Sequence, residues 1–335
     1  MKVLVVNRKE VTQLLPMGEC IDAMAEAFRA LSSGNTINPL RPVLWLPGNV
    51  GALGMMPAYV GDIKTMGLKV VSVFPGNLNT EYDSHMGAVL IFETEHGQLL
   101  AIIDAGEITA LRTAAVSGLA TKLLARQTAH DLTILGSGIQ AWSHLESMLL
   151  VRPIRRVRVW SRNPDHAGKF AERGTLRHKM KVEPVSTVKD AVAGADLICS
   201  TTAAPEPILL GAWISPGTHI NAVGSSVAFT RELDTAAVVK SRLFVDRRES
   251  TLNEAGDFLI PKKEGVINED HIRGEIGEIL IGRVEGRKSE DEITLFKSLG
   301  LAVEDVAAAH HIYKMALEKG IGTYVELGGE RPFTF

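Results

Sequence analysis

The chain has 335 residues, of which 45% are hydrophobic and 22% charged, and its formal net charge is -3. At this length a single core is close to its practical limit, so two domains are expected. The ordinary apolar fraction and the lack of charged blocks or low-complexity tracts exclude a disordered interaction protein. A near-neutral chain also lacks the basic face that nucleic-acid binding requires, so we predict no nucleic-acid partner.

Cysteine usage and hydropathy indicate a cytoplasmic protein. The chain has only two cysteines, Cys20 and Cys199, which are too few for a disulfide framework in a chain of this length. Both lie in apolar surroundings, so we interpret both as reduced core residues. The apolar run from Val3 to Val6 is too short for a signal peptide, and no stretch of about 18 apolar residues is available for a membrane span. We therefore expect no membrane partner.

The first 130 residues predict a mostly antiparallel sheet with flanking helices. Apolar residues at helical spacing predict helices over 17–31 and 107–124. Extended segments bounded by glycine and proline are predicted over 42–47, 51–59, 66–74, 87–92 and 99–103.

From Asp131 onward, short apolar strands alternate with helices. Strands are predicted over 132–135, 157–160, 195–200, 219–223 and 243–246, and helices over 140–150 and 164–178. This alternation is typical of a parallel sheet with helices on both faces. The last pattern, Leu295 to Lys319, predicts one long helix that returns to pack on the first domain. The adjacent His310 and His311 do not have the spacing of a zinc pair, and we predict no metal site.

A glycine-rich turn separates the strand that ends at Leu135 from the helix that follows it. The turn is a G-x-G-x-x-A fingerprint, and its predicted cofactor-binding residues are Gly136, Ser137, Gly138, Ile139 and Gln140. In dinucleotide-binding folds the first glycine allows the tight turn, and the second lets the backbone approach a pyrophosphate. The helix N-terminus then offers N–H groups to the anion.

The residues after the next strand bear on the choice between NAD and NADP. An NAD site usually carries Asp or Glu there, about 20 residues past the fingerprint, to bind the ribose 2′-hydroxyl. This chain has Ser161, Arg162 and Asn163 instead, and an arginine beside a serine can bind a 2′-phosphate. We therefore predict NADP(H). NAD(H) is the alternative, with Arg162 then a solvated surface residue.

Small residues follow two later strands, where ligands bind in such folds. The predicted cofactor-binding residues there are Thr201, Thr202, Ala203, Val223, Gly224 and Ser226. Their size would leave room for the ribose and the nicotinamide. Turn requirements alone also place Gly and Ser at strand ends.

Four motifs in order resemble one known family. They are Leu111-Arg112-Thr113-Ala114-Ala115, the Gly136 fingerprint, His219-Ile220-Asn221-Ala222-Val223-Gly224, and Phe296-Lys297-Ser298-Leu299-Gly300 with Val303-Glu304-Asp305. Spanning nearly the whole chain, they resemble the ornithine cyclodeaminase/mu-crystallin family. The resemblance implies an α/β protein with a Rossmann-type doubly wound parallel sheet over 128–299. It also implies a discontinuous α+β substrate-binding and dimerisation domain over 1–127 and 300–335, and a homodimer.

The resemblance also implies the substrate site. It places a substrate carboxylate against Arg41, Lys69 and Arg112, and cations that converge in this way require an anion among them. Met56 stands where cyclodeaminases carry a polar group that faces the ornithine amine. Without the resemblance, Lys69 and Arg112 would be interpreted as surface residues.

Several cofactor contacts follow from the resemblance alone. Ser84 and His85 match a Ser-His pair near the nicotinamide, and Thr113 belongs to the first motif. Phe296 and Lys297 of the last motif are expected to approach the nicotinamide.

One position departs from the cyclodeaminase pattern. Cyclodeaminases carry an aspartate shortly after the Asn-Ala-Val-Gly segment, where this chain has Ser226. A serine cannot act as a carboxylate base near neutral pH, which argues against a cyclodeaminase.

The sequence therefore predicts an NAD(P)H-dependent reductase of a small imino acid, reversible as an amino-acid dehydrogenase. Its substrate would be a cyclic ketimine or a 2-imino acid, with Arg41, Lys69 and Arg112 on the carboxylate. The proton would come from Lys69 or from a water held by Ser226 and His85. The alternatives are an ornithine cyclodeaminase and a non-catalytic carrier of NADPH or another ligand.

Overall fold

The computed structural model describes residues 2–77 and 80–329. Contacts divide these residues into two units: unit 1 contains those up to Arg112 and from Leu301, and unit 2 is Thr113–Gly300. The chain first passes from unit 1 to unit 2 between Arg112 and Thr113, inside the helix Ala105–Leu124, whereas the predicted boundary was at 127. Residues 1 and 330–335, which were predicted to belong to the first domain, lie outside the described residues.

The elements up to residue 124 are β1 (Lys2–Val6), α1 (Arg8–Leu14), α2 (Met17–Ser32), β2 (Thr36–Ile37), β3 (Val43–Trp45), β4 (Ala52–Val60), β5 (Thr65–Val73), β6 (His85–Glu93), β7 (Leu99–Asp104) and α3 (Ala105–Leu124). The next are β8 (Asp131–Leu135), α4 (Ile139–Val151), β9 (Arg156–Trp160), α5 (Pro164–His178), β10 (Val182–Pro184), α6 (Val188–Val192), β11 (Leu197–Ser200), β12 (His219–Ala222), α7 (Thr235–Lys240) and β13 (Arg242–Val245). The last are α8 (Arg248–Glu254), α9 (Gly256–Lys263), β14 (Ile272–Glu275), α10 (Ile276–Leu280), β15 (Thr294–Lys297), α11 (Ala302–Lys319) and β16 (Thr323–Glu326).

Unit 1 is built on a sheet in the order β16-β1-β7-β6-β5-β4-β2, with β3 also paired to β4. Its neighbours are antiparallel except for β1 and β7, which are parallel. The prediction of a mostly antiparallel sheet with flanking helices is confirmed. β1 lies outside the predicted strands, because a five-residue apolar run carries too little pattern to identify its pairing.

The last helix, α11, packs on α2 and on strands β4, β5 and β6 within unit 1. Its N-terminus is capped by the side chain of Glu304, which accepts the N–H of Leu301 at 3.0 Å. It ends at Lys319, and the next residue, Gly320, has a φ of +64°, which suits a glycine after a helix. The predicted return of this helix to the first domain is confirmed.

The predicted start of that helix at Leu295 is wrong. Residues 294–297 form β15, a fully buried strand between β12 and β13. A strand that is buried on both faces does not alternate polar and apolar residues, so its pattern resembles that of a helix. Gly300, with a φ of +82°, separates this strand from α11.

Unit 2 is built on an eight-stranded sheet in the order β10-β9-β8-β11-β12-β15-β13-β14, and all its neighbours are parallel. The strand order reverses at β8, so the carboxyl ends of β8 and β11 border the crevice where open α/β sheets bind ligands. The prediction of a Rossmann-type doubly wound sheet is confirmed.

Both cysteines are core residues, as predicted. Cys20 lies in α2 and Cys199 in β11, and both are fully buried. Burial raises the pKa of both thiols, that of Cys199 to about 12, so neither is a nucleophile near neutral pH. Within residues 2–77 and 80–329, no helix has the length and apolar character needed to cross a membrane.

Candidate functional site

The sheet of unit 1 buries a lysine at its centre. Lys69 lies in the middle of β5, opposite Met56 of β4 and Val89 of β6. Lys69 is 2% exposed and Met56 is 5% exposed. A lysine in this position must be paired, because an isolated buried ammonium is strongly unfavourable.

Lys69 belongs to a group of four charged residues that we call the buried ion cluster: Lys69, Arg112, Glu304 and Asp305. The Lys69 Nζ lies 2.8 Å from Asp305 Oδ2. Arg112 donates from Nε to Asp305 Oδ1 at 3.1 Å and from Nη1 to Glu304 Oε2 at 2.8 Å. Both carboxylates are fully buried, and Arg112 is 4% exposed. The cluster brings together two of the three cations that were predicted to hold a substrate carboxylate.

The surroundings of the two cations give them different protonation behaviour. Burial lowers the pKa of Lys69 to about 8, although the attraction of Asp305 opposes this effect. Burial also disfavours the charge of Arg112, but Asp305 and Glu304 outweigh it and raise the pKa. Arg112 is therefore a permanent cation, whereas Lys69 titrates close to physiological pH and can carry a proton in a reaction.

The two cations retain donors that suit a carboxylate ligand. The bonds of Arg112 to Asp305 and Glu304 use Nε and Nη1 and do not involve Nη2. An ammonium has three N–H donors, and Lys69 Nζ forms an ion pair with Asp305 Oδ2. Charge-assisted bonds of this kind are the strong ones in carboxylate recognition.

The sequence did not reveal Glu304 and Asp305 as the partners of these cations. Both stand in the first turn of α11, where acidic residues are common for reasons of helix capping. One general rule could have indicated them: a lysine and an arginine inside a core need buried carboxylates as partners. An acidic pair on a mostly buried helix was the natural candidate.

The other predicted residues of unit 1 lie in strands β4 and β6 or just before β3 and β6. Arg41 is half-buried and directly precedes Pro42, whose carbonyl accepts the N–H of Met55 beside Met56. Ser84 Oγ lies 3.0 Å from His85 Nδ1 at the start of β6. Burial, and then the charge of Lys69, lower the pKa of His85, so its imidazole is neutral at neutral pH. The roles assigned to Arg41, Met56, Ser84 and His85 stay predictions.

In unit 2 the glycine-rich turn has the shape that a dinucleotide requires. Gly136 has a φ of +119°, and a Cβ there would lie 2.8 Å from Thr201 Oγ1 and 2.9 Å from the Thr201 carbonyl oxygen. Gly138 is the N-cap of α4 without a side-chain cap, and a Cβ there would meet open space. The first N–H groups of this helix therefore face a turn with room for an anion, and the residues present fit a pyrophosphate.

The remaining residues of the fingerprint region lie around this turn. Ser137 Oγ donates to Ser161 Oγ at 2.9 Å, so these two predicted residues are in contact. Arg162 is exposed, and Asn163 caps α5 by accepting the N–H of Asp165 at 3.0 Å. Three further predicted residues are Ile139, which is 52% exposed, Gln140, which is half-buried, and Thr113, which is buried in α3.

The predicted residues of the next two loops are held by a carboxylate that the sequence did not reveal. Glu232 accepts hydrogen bonds from Thr202 and Gly224. Ala203 and Ser226 are exposed in these loops, and Val223 is half-buried.

Two predicted cofactor residues, Phe296 and Lys297, lie within β15. Phe296 is fully buried, and Lys297 is 1% exposed with its Nζ 2.9 Å from Asp257 Oδ2. Their approach to a nicotinamide stays a prediction, and the structure gives Lys297 a partner inside unit 2.

This fold and these residues define a dinucleotide-binding α/β protein with a buried cation site in its first unit. The chain belongs to the ornithine cyclodeaminase/mu-crystallin family, whose model matches residues 1–320.

Relatives with known activities match nearly the whole chain. The mouse ketimine reductase mu-crystallin is 41% identical over 293 residues, covering 88% of this chain and 90% of that protein. The Thermococcus litoralis Delta(1)-pyrroline-2-carboxylate reductase, solved with NADH and L-proline, has a TM-score of 0.94 and 40% identity, covering 96% of this chain and all of that one. An archaeal alanine dehydrogenase, solved as a dimer with NAD, has a TM-score of 0.92 and 32% identity, covering 98% and 100%.

Proposed function

We propose that the protein is an NAD(P)H-dependent reductase of small imino acids, reversible as an amino-acid dehydrogenase. The observation that carries this proposal is the buried ion cluster, in which Arg112 and Lys69 offer charged donors to a carboxylate. The similar reductase was solved with a cyclic amino acid and NADH, which are a product and a cofactor of this kind of reaction.

The residues around Gly136 would hold the dinucleotide. The N–H groups that begin α4 would bind the pyrophosphate, and Ser137 and Ser161 would lie beside the adenosine ribose. A bound reduced nicotinamide supplies a hydride to the C=N carbon.

Two residues of unit 1 would prepare the imino acid for reduction. Arg112 would hold the substrate carboxylate as a fixed cation and so orient the C=N carbon. Lys69, with a pKa of about 8, would hold a proton near neutral pH and donate it to the imine nitrogen. A protonated imine is more electrophilic at carbon, and donation leaves Lys69 neutral until water reprotonates it.

The position of Ser226 favours reduction over cyclodeamination. The loop that carries it has an exposed serine where a cyclodeaminase has an aspartate. Without that carboxylate the protein lacks the base that cyclisation of ornithine and loss of ammonia require.

We further propose NADP(H) as the preferred cofactor, because β9 is followed by Ser161 and the exposed Arg162 rather than by a carboxylate. Arg162→Ala should weaken NADPH binding about tenfold and leave NADH binding nearly unchanged. Isothermal titration of both cofactors measures this, with the exposed Arg155→Ala as the control variant. Equal effects on the binding of both cofactors would show that Arg162 does not bind the 2′-phosphate.

We also propose a homodimer, the assembly of the similar archaeal alanine dehydrogenase. Unit 1 presents three exposed apolar side chains on β3: Val43, Leu44 and Trp45 are 38%, 52% and 56% exposed. Exposed apolar side chains on one strand favour a contact with another protein.

A panel of imines tests the reaction class. Pyrroline-2-carboxylate, piperideine-2-carboxylate, and pyruvate with ammonia are each mixed with NADH and with NADPH, and cofactor oxidation is followed. At least one pair should react. Ornithine with NAD⁺ forms the second arm: release of ammonia and proline without net cofactor change would instead identify a cyclodeaminase. An inert protein that binds cofactor tightly would identify a carrier.

A further inference from the structure

Glu232 joins two loops of unit 2 that follow neighbouring strands. Its Oε1 accepts hydrogen bonds from the N–H and the hydroxyl of Thr202, each 2.7 Å long. Its Oε2 accepts the N–H of Gly224, also at 2.7 Å. Thr202 lies just after β11 and Gly224 just after β12, so one carboxylate holds both loops. We call Thr202, Gly224 and Glu232 the Glu232 clamp.

The clamp brings the two loops very close together. A Cβ at residue 224 would lie 1.9 Å from the carbonyl oxygen of Thr202 and 2.5 Å from the Glu232 carboxyl group. Only glycine fits there, so the separation of the loops is set by backbone contact and by the carboxylate between them.

Buried charged residues also hold the backbone of Glu232 in position. It is fully buried, and Asp257 Oδ1 accepts the N–H of Glu232 at 2.9 Å and that of Leu233 at 3.1 Å. Lys297 Nζ lies 2.9 Å from the other oxygen of Asp257. Asp257 is 2% exposed, so its ion pair with Lys297 is inaccessible to water. The buried ion pair and the two backbone hydrogen bonds restrict the arrangement of the segment that carries Glu232.

The loops of the clamp lie where the fold binds ligands. Both follow the carboxyl ends of parallel strands, and β11 and β12 come after β8 in the sheet order. The loop after β11 also contacts the glycine-rich turn, since Thr201 blocks any Cβ at Gly136. The turn fits the pyrophosphate, so the loops that extend from it along the sheet are suited to a part of the dinucleotide beyond the pyrophosphate.

We propose that Glu232 is a positioning residue for the nicotinamide half of the cofactor. It acts through the loops of Thr202 and Gly224 and does not itself touch the cofactor. This proposal rests on the dinucleotide site of the proposed function and not on the identity of the imino acid.

The variant Glu232→Gln tests this role with two probes. A glutamine keeps one acceptor but turns its NH₂ group toward a donor, so one of the two loops loses its partner. The dissociation constants of NADH and of ADP-ribose, which lacks the nicotinamide, are measured by isothermal titration. NADH binding should weaken about tenfold, as expected for loss of a charge-assisted hydrogen bond. ADP-ribose binding should change by less than about threefold, since its contacts lie at the glycine-rich turn.

Two further variants complete the experiment. Glu206→Gln removes an exposed charge from the same loop and should change neither constant. Glu232→Asp keeps the charge but is one methylene shorter, so it should also weaken NADH selectively; it is measured even if the glutamine variant does not fold. NADPH and 2′-phospho-ADP-ribose are titrated in parallel.

A selective loss of the dinucleotide in the Glu232 variants supports the proposal. Equal weakening of both probes, or no weakening, would overturn it, because a residue that only stabilises the fold does not distinguish them. If the wild-type protein binds neither probe, the dinucleotide site itself is wrong. If the protein reduces none of the imine substrates, these titrations still test the role of Glu232 in cofactor binding.

Discussion

In the proposed mechanism, Lys69 would both bind the substrate carboxylate and donate a proton, whereas Arg112 would supply only a charge. Arg112 stays protonated at any physiological pH, while burial brings the pKa of Lys69 down to about 8. Replacing Lys69 with methionine removes both functions but keeps a side chain of similar length. We expect Lys69→Met to lower kcat/KM by at least about 100-fold.

The same variant should leave the dissociation constant of the cofactor nearly unchanged, because Lys69 lies in unit 1 and the glycine-rich turn in unit 2. Lys9→Met, an exposed position on α1, serves as the control. Full activity of Lys69→Met would remove Lys69 from the mechanism.

Asp305 extends the pH range in which Lys69 carries its proton. The Asp305 carboxylate lies 2.8 Å from the ammonium and raises the pKa of Lys69 against the effect of burial. Reduction that needs protonated Lys69 should decline as the pH rises through about 8. Asp305→Asn removes the attraction, so the decline should move to lower pH by about one pH unit.

The pH dependence of kcat/KM measures this shift, and Glu318→Gln, an exposed change on α11, should leave the profile in place. A purely structural role for Asp305 would lower the rate at every pH and leave the midpoint unchanged.

At the scale of elements, β5 and β6 hold Lys69 in position through close backbone contact. A Cβ at Gly87 would lie 1.9 Å from the carbonyl oxygen of Val70, the residue after Lys69. Gly87→Ala must therefore push the two strands apart and should lower the free energy of unfolding by about 2 kcal/mol.

Urea unfolding measures this loss. Gly76→Ala is the matched control, because a Cβ there meets no atom of the described residues within 4 Å. Equal midpoints for the two alanine variants would contradict the close packing of β5 on β6.

Elements with a local pattern were predictable, and those defined by distant partners were not. The turn at Gly136 carries its geometry in adjacent residues, so the strand, the turn and the helix after it were predicted correctly. β15 was read as helix, because four buried residues have no alternation to distinguish them.

The same distinction between local pattern and distant partners explains which site residues could be predicted from the sequence. Lys69 and Arg112 were predicted only through the resemblance, since nothing in their local sequence requires burial. Glu304, Asp305 and Glu232 were missed because their partners are far away in the chain, and pairing at a distance is decided by tertiary packing.

At the scale of the whole molecule, the proposed function assigns one binding role to each unit. Unit 1 holds the buried cations that we propose to bind the substrate carboxylate, and unit 2 holds a turn that fits a dinucleotide.

The assembly of two copies is tested through β3. Light scattering after size exclusion should give twice the mass of one chain, and Trp45→Glu should shift the protein toward the monomer by placing a charge on the exposed apolar strand. Lys181→Glu, an exposed position in unit 2, is the control. A wild-type protein that elutes as a monomer would contradict the homodimer.

The stoichiometry of reduction tests the proposed imine reductase activity most directly. The protein is mixed with pyrroline-2-carboxylate and NADPH or NADH, and cofactor loss at 340 nm is compared with the proline formed. We expect one cofactor oxidised for each proline, with the reaction lost in Lys69→Met. If neither cofactor is oxidised with this or any other imine of the panel, the protein is not an imino-acid reductase.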